Sequence, residues 1–246
     1  MPHTKEKEIP IDDSPFFKSL RKRAPKLYLT KSAKPRKHLS AKDSYQKEVL
    51  EICLRISSLL ETLRLSRFFL SERLDDKIFE NHKVKNAAFV RYHIETYFLR
   101  LTTFKDLILK LLNRTYKIDL KENVGLERNL KIQIQKNGFT DLEQLLQGLT
   151  ILMKNVEPVR HKIAHGGYHD DLDLILIESQ ETISTDNYSS LSQDSEYLKT
   201  LSLLLKRNII DMYGIELMMA TYVLLVYKRL LPKRRLIEKS LIINSK

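Results

Sequence analysis

Tryptophan is absent from the chain, cysteine occurs once, and glycine and proline are held to six and seven positions in 246 residues. The single cysteine, Cys53, rules out an intrachain disulfide and any paired-cysteine metal site. Its place within the apolar pattern EVLEICLRISSLLETL reads as a buried core thiol. So little glycine and proline, with 42% hydrophobic and 30% charged residues, describes a helical protein rather than a turn-rich β one, and few strands are expected. Long hydrophobic runs are also missing. The longest, IELMMATYVLLVY from Ile215 to Tyr227, covers 13 residues, short of the roughly 20 that cross a bilayer. Lys206, Arg207, Asp211 and Glu216 precede or enter it, so it reads as a buried helix, and no membrane association is expected. The first residues, MPHTKEKEIPIDDSPFFKSLRKR, lack the apolar core of a signal peptide, and a reducing cytoplasm is the expected compartment.

Acidic residues are in deficit. Forty-three lysines and arginines face 31 acids, a net charge of +12, which favours polyanionic partners such as nucleic acid, or an anionic membrane surface. Much of the excess is local: residues 1–40 hold eleven basic side chains against four acidic ones, +7, and five of the seven prolines. This stretch has no sustained apolar period. We read residues 1–43 as a basic arm with a short helix around Phe16 to Arg23, its Phe16-Phe17 pair anchoring it to a body of residues 44–246. A solvated tail is the plainer reading of the same charges.

The body is periodic. Val49, Ile52, Ile56, Leu59, Leu63 and Leu70 follow three- and four-residue steps, with Ser66 in one slot. Val90, Ile94, Tyr97, Leu101, Phe104, Ile108 and Leu111 do so without a break. The segment KIDLKENVGLERNLKIQIQKNGF interrupts the period as a connector with room for a short helix, and its Asn137-Gly138 marks a turn. Thr140 and Glu143 have capping-box spacing ahead of a third helix. LDLILIES alternates like a short strand, and TDNYSSLSQDSEY reads as a loop. A last helix is expected from about Leu191 to Leu230, closed by Pro232, with Asn208 alone among apolar residues on its stripe. Four major amphipathic helices bury their stripes most simply in an all-α bundle.

The rarest side chains gather in EPVRHKIAHGGYHD, Glu157 to Asp170. Three readings compete there. His161 and His165, four apart on one helical face, have a common metal-ligand spacing that His169 and Asp170 or Asp171 could extend. Arg160 and Lys162 would then set positive charge beside a cation, and Gly166-Gly167 would end the helix before His169. A basic last turn followed by glycine also suits a helix C-terminus with no further role. The third reading is chemical. Cleavage of RNA by its own 2′-hydroxyl needs proton transfer near neutrality and a fixed cation at the phosphorane, which are the properties of histidine and arginine. No Walker loop, dinucleotide fingerprint or serine nucleophile elbow offers a rival chemistry.

Arg160-His161-Lys162-Ile163-Ala164-His165, following a capped helix in a four-helix pattern, resembles the signature of HEPN domains: an arginine, a polar residue, then a histidine after four to six intervening positions. His161 stands in the polar slot. FVRYHIETYFLRLTTFKDLILKLLNRTYKIDL looks like the long second helix of one bacterial HEPN subfamily, and the likeness spans roughly Ser44 to Leu230. The resemblance implies an all-α HEPN-like bundle of four major helices behind a basic N-terminal arm, and a metal-independent endoribonuclease that uses no cofactor. It further implies a homodimer with two motifs facing across a cleft, and a bacterial toxin–antitoxin or defence setting with an antitoxin or other regulatory protein as partner. Arg160 would bind phosphate and His165 would transfer protons. His161 and Asn208 would support them, and Lys162, Tyr168 and His169 would line the cleft. A non-catalytic HEPN-like module that binds RNA or protein is the alternative. Five residues at about 100° each set Arg160 and His165 roughly 140° apart around a straight helix, so one helix does not bring both to one phosphate. A partner chain, or distortion at Pro158 and Gly166, would have to.

Overall fold

The structure is a computed structural model that describes residues 9–29, 38–71, 85–123, 125–154, 156–166, 171–183 and 194–243. Among them every regular element is a helix and no β-strand occurs. A short 3-10 turn at Ile11–Asp13 leads into α1 (Pro15–Arg21) and α2 (Ala24–Tyr28). There follow α3 (Ala41–Ser71), α4 (Asn86–Thr115), α5 (Leu126–Asn137), α6 (Thr140–Met153), α7 (Val156–Gly166), α8 (Leu172–Ile183) and α9 (Ser195–Ile243). The chain divides into two compact units, residues 1–59, 104–152 and 218–246 forming the first and residues 60–103 and 153–217 the second.

The expected stripes are the buried ones. Every member of the α4 stripe, Val90 through Leu111, is buried, as are Val49, Ile52, Ile56, Leu59, Leu63, Leu70 and the odd member Ser66 of α3. On α9 the buried line drifts by one residue. Tyr197, Leu204 and Glu216 take interior positions while Leu198, Leu205 and Ile215 are half-buried. By length and composition alone α9 could cross a membrane, but Met219, Tyr222, Val223, Val226, Tyr227 and Leu230 are buried within the first unit.

In that unit residues 9–29 of the basic arm are folded. Ser14 accepts the Phe17 N–H and Pro15 opens α1, a favourable first turn. Phe16 and Phe17 are completely buried, and Phe16 stacks on Tyr227 with ring centroids 5.0 Å apart. The Arg234 guanidinium, itself buried, donates to the Phe16 carbonyl at 2.8 Å and the Ser19 hydroxyl at 2.7 Å, and it pairs with Glu238 at 3.1 Å. These contacts explain why α9 does not end near Leu230 as its proline suggests. It runs through Pro232 to Ile243, because the interactions of Arg234 and the burial of Leu241 lie beyond the proline and exceed the cost of one missing backbone bond. Cys53 is buried beside Tyr227, and burial pushes its thiol up to about 12. After α4, Lys117 and Asp119 adopt left-handed backbone (φ 54° and 56°). Asn113 holds that turn, its amide donating to the Leu120 carbonyl at 2.9 Å and its oxygen accepting the Leu120 N–H at 3.1 Å. The connector contains a full helix, α5, ended by left-handed Gly138. α6 includes Thr140 as its first residue, so Phe139 rather than Thr140 holds the cap position, its carbonyl accepting the Leu142 and Glu143 N–H groups.

In the second unit, LDLILIES is helical rather than extended. The Asp171 carboxylate accepts the N–H groups of Asp173 at 3.0 Å and Leu174 at 3.4 Å, capping α8. Leu174, Ile177 and Glu181 then fall on one buried face, so helical spacing overrides a short apparent alternation. Glu181 reaches the start of α4, accepting the Ala87 N–H at 3.2 Å and the Tyr197 hydroxyl at 2.6 Å, while Asn86 donates to that hydroxyl at 2.9 Å. Arg67 and Glu216 form a buried two-bond ion pair at 3.1 Å, and the Tyr97 hydroxyl donates to the Met212 carbonyl.

Two outcomes test these assignments. Phe16→Ala should cost about 3–5 kcal/mol in denaturant unfolding, whereas a solvated arm would show no change. Burial holds the Glu181 carboxyl above its ordinary value despite the bonds from Tyr197 and Ala87. Folding therefore favours its protonated form, a contribution fully present below the unfolded carboxylate pKa and lost as pH rises through the folded one. The stability of Glu181→Gln relative to wild type should be greatest at neutral pH and shrink on acidification. A pH-independent difference would contradict the assignment.

Candidate functional site

The motif occupies α7, within the second unit. Val156 and Ile163 are buried and Val159 is half-buried along one side of this helix. Pro158 falls in its first turn, where its missing N–H does no harm, and Gly166 is its last residue. The segment is helical throughout, so the phase expected for a regular helix applies. Arg160 lies about 60° from the buried side, and His161 and His165 lie about 160° from it.

Arg160 is half-buried. Its guanidinium Nε is fully buried with no hydrogen-bond partner among the described residues. A cationic N–H withdrawn from water without an acceptor is costly. His161 and His165 are both exposed, with ring centroids 4.4 Å apart and planes inclined by 52°. Lys162 is exposed on the same helix, and His165 in the last turn faces the favourable end of the helix dipole. Tyr168, His169 and Asp170 lie outside the described residues. The structure thus brings the two histidines of α7 together and leaves Arg160 at a different angle on the helix.

Asn208 is buried on α9, and its amide donates to the Leu204 carbonyl of its own helix at 2.9 Å. His93, on α4, is half-buried among Phe69, Phe89 and Tyr92, with centroid distances of 5.6, 4.4 and 5.2 Å. Burial lowers its pKa. It is packed in a nest of aromatic rings. Among the described residues no group of three or more histidine, cysteine or carboxylate side chains is arranged to hold a metal ion.

One residue near the motif escaped sequence reasoning. Arg207, on α9, grips Asp171 and Asp173 at 3.0 Å or less, anchoring the chain just after the motif. Asp171 serves twice, capping α8 with one oxygen and pairing with Arg207 through the other. The Asp-x-Asp spacing was visible in the sequence. Its cation, more than thirty residues away, had no pattern to point to it.

An all-helical fold that carries an Arg-polar-x3-His motif on a short helix defines a HEPN-type protein. The family model for Cthe2314-like HEPN domains matches residues 50–219. The chain belongs to this HEPN family. The match takes in the motif and leaves out α1, α2 and the end of α9. No curated protein and no solved structure matches the chain significantly. HEPN domains generally act as nucleases or RNA-binding modules and often dimerise.

The histidine pair has a direct test. EDTA dialysis should leave the thermal midpoint unchanged. A midpoint that falls with EDTA, returns with zinc, and ceases to respond in His161→Ala would make the pair a metal site.

Proposed function

We propose that the chain is a metal-independent endoribonuclease acting as a homodimer, with two symmetric sites, each assembled from the α7 helices of both copies. The observation that carries this reading is the motif itself, half-buried Arg160 and exposed His165 on α7, within the segment that matches the HEPN family. At such a site the ribose 2′-oxygen attacks the adjacent phosphorus, forming one P–O bond as the P–O5′ bond breaks. The proton leaves O2′ and a proton is delivered to O5′, giving a 2′,3′-cyclic phosphate and a 5′-hydroxyl. Arg160 neutralises the phosphorane and His165 transfers protons, steadied by the neighbouring ring of His161. Lys162 belongs to the cleft and Asn208 supports it from α9. Because a regular helix holds Arg160 and His165 roughly 140° apart, the arginine of one copy serves the histidine of the other. A cytoplasmic toxin–antitoxin or defence role, with a regulatory partner protein, follows from the family alone.

A second reading has its own observation. The outward face of α8 presents Leu172 and Ile183, each more than four-fifths exposed, with Ile175 and Leu176 between them, as a non-catalytic HEPN module that binds a protein would.

Cleavage of RNA in EDTA should fall on the order of 10²–10⁴-fold in Arg160→Ala and in His165→Ala, with RNA binding retained in the histidine variant. Equal cleavage by both variants and wild type would sink the catalytic reading. Mixing the two inactive variants offers a sharper outcome. Random exchange of subunits makes half the dimers mixed, each with one intact composite site, so activity should return to about a quarter of wild type. Mixtures that stay inactive after subunit exchange would exclude a site shared between copies.

A further inference from the structure

The net charge is divided unequally between the two compact units. The first unit carries 29 lysines and arginines against 14 acids, or +15, and the second carries 14 against 17, or −3. The unit that contains the motif therefore has no general attraction for a polyanion, and the cationic excess belongs to the first unit.

Within the first unit, cations from the two ends of the chain meet. The bonds of Arg234 to Phe16 and Ser19, with its guanidinium 4.8 Å over the Phe16 ring, fix the end of α9 against α1. Of the consecutive cations Lys233, Arg234 and Arg235, the first lies over the rings of Tyr116 and Phe139 and the second is the clamp itself. Arg235 is left exposed. Lys228 and Lys239 are exposed too, and steps of seven and four residues put all three on one face of α9. On the arm, exposed Lys22 and half-buried Arg23 follow Ser19 by three and four residues, in the turn after α1. Nearby acids are engaged elsewhere: Glu238 pairs with Arg234, Asp13 with Lys18, and Asp12 accepts from Ser57 and pairs with Arg21. None of Lys22, Arg23, Lys228, Arg235 and Lys239 is paired with a carboxylate among the described residues. All five lie outside the segment that matches the HEPN family.

We propose that these five cations form a phosphate-backbone binding surface that captures RNA independently of the α7 motif, so that the chain holds its substrate with one unit and acts on it with the other. The proposal rests on RNA being the substrate class. Capture through the backbone is sequence-independent and strongly salt-dependent, each phosphate contact on a single strand contributing a slope of about −0.7 in log K against log salt. Target choice would then belong to the motif cleft.

The test uses the full chain with His165→Ala, which keeps Arg160 and prevents cleavage, and a fluorescein-labelled 20-nucleotide single-stranded RNA. The triple variant K228E/R235E/K239E and the double variant K22E/R23E should each weaken binding at least tenfold at low salt. Each should flatten the salt slope by about one to two. K154E/K206E, two exposed cations of the second unit, should leave both quantities unchanged. Unchanged denaturation midpoints identify folded variants. Where a reversal lowers the midpoint, the glutamine versions are measured instead and should give half the effect or more. Equal binding and slope in the triple variant and its parent would overturn the proposal, as would an equal loss in K154E/K206E. Phosphatidylserine vesicles retained by the parent and lost by the triple variant, with RNA binding unaltered, would overturn it in favour of a membrane surface. In the catalytically intact chain the triple variant should raise KM for long RNA with kcat within about twofold. A chain that binds through this surface but never cleaves would refute only the nuclease reading. Cleavage with the usual KM in the triple variant would refute only the capture surface.

Discussion

A guanidinium buried against backbone organises the first compact unit. Removing the Arg234 charge from water costs several kcal/mol unless it is paired and hydrogen-bonded. Here a carbonyl and a hydroxyl accept from its two terminal nitrogens and the Glu238 carboxylate pairs with its charge, with an aromatic ring over its face. The partners come from residues 16 and 19 and from one turn further along its own helix. Losing the arm would leave the guanidinium with Glu238 alone, and losing the helix beyond Pro232 would leave the Phe16 carbonyl and ring without Arg234. This mutual dependence makes a proline-rich, highly charged segment part of a core, and it carries α9 past a residue that ordinarily ends helices.

The same clamp governs the electrostatics. Like charges at the two ends of the chain would separate in solution, but the apolar contacts of Phe16, Phe17 and Tyr227 hold them together. At about 25 cal/mol per Å² of apolar surface, burying these rings outweighs repulsion between exposed cations screened by water and salt. In the second unit the priorities differ. Buried Arg67–Glu216 and the Glu181 cluster are paired polar groups, and α7 carries a local cationic patch within a slightly acidic surround.

Much of this was legible from spacing. The α4 stripe and the α3 stripe are buried at the positions their three- and four-residue steps predict, because apolar area has no other place to go in a chain this size. The Arg160 to His165 motif was legible too, since its residue types are rare elsewhere and helix phase follows from sequence number. LDLILIES misled because a few alternating residues fit a strand as well as a helix, and the arbiter was the Asp171 cap with the Leu174, Ile177 and Glu181 face. Arg207 could not be found at all. Its partners are carboxylates more than thirty residues away, and nothing in a linear pattern says which cation will meet which acid.

The amino-acid sequence by itself determined the all-helical class, the principal buried stripes, the HEPN motif and the cationic balance. These depend on residue type and on spacing within one helix, which local geometry converts directly into faces. Tertiary structure decided that α1 and α2 of the arm join the core, that α9 outlasts its proline, that Asp171 is held by Arg207, and that Arg160 has a buried donor with no hydrogen-bond partner among the described residues. Each of these depends on which distant side chains share a desolvated space, and the free energy of that choice belongs to the packed chain rather than to any stretch of it.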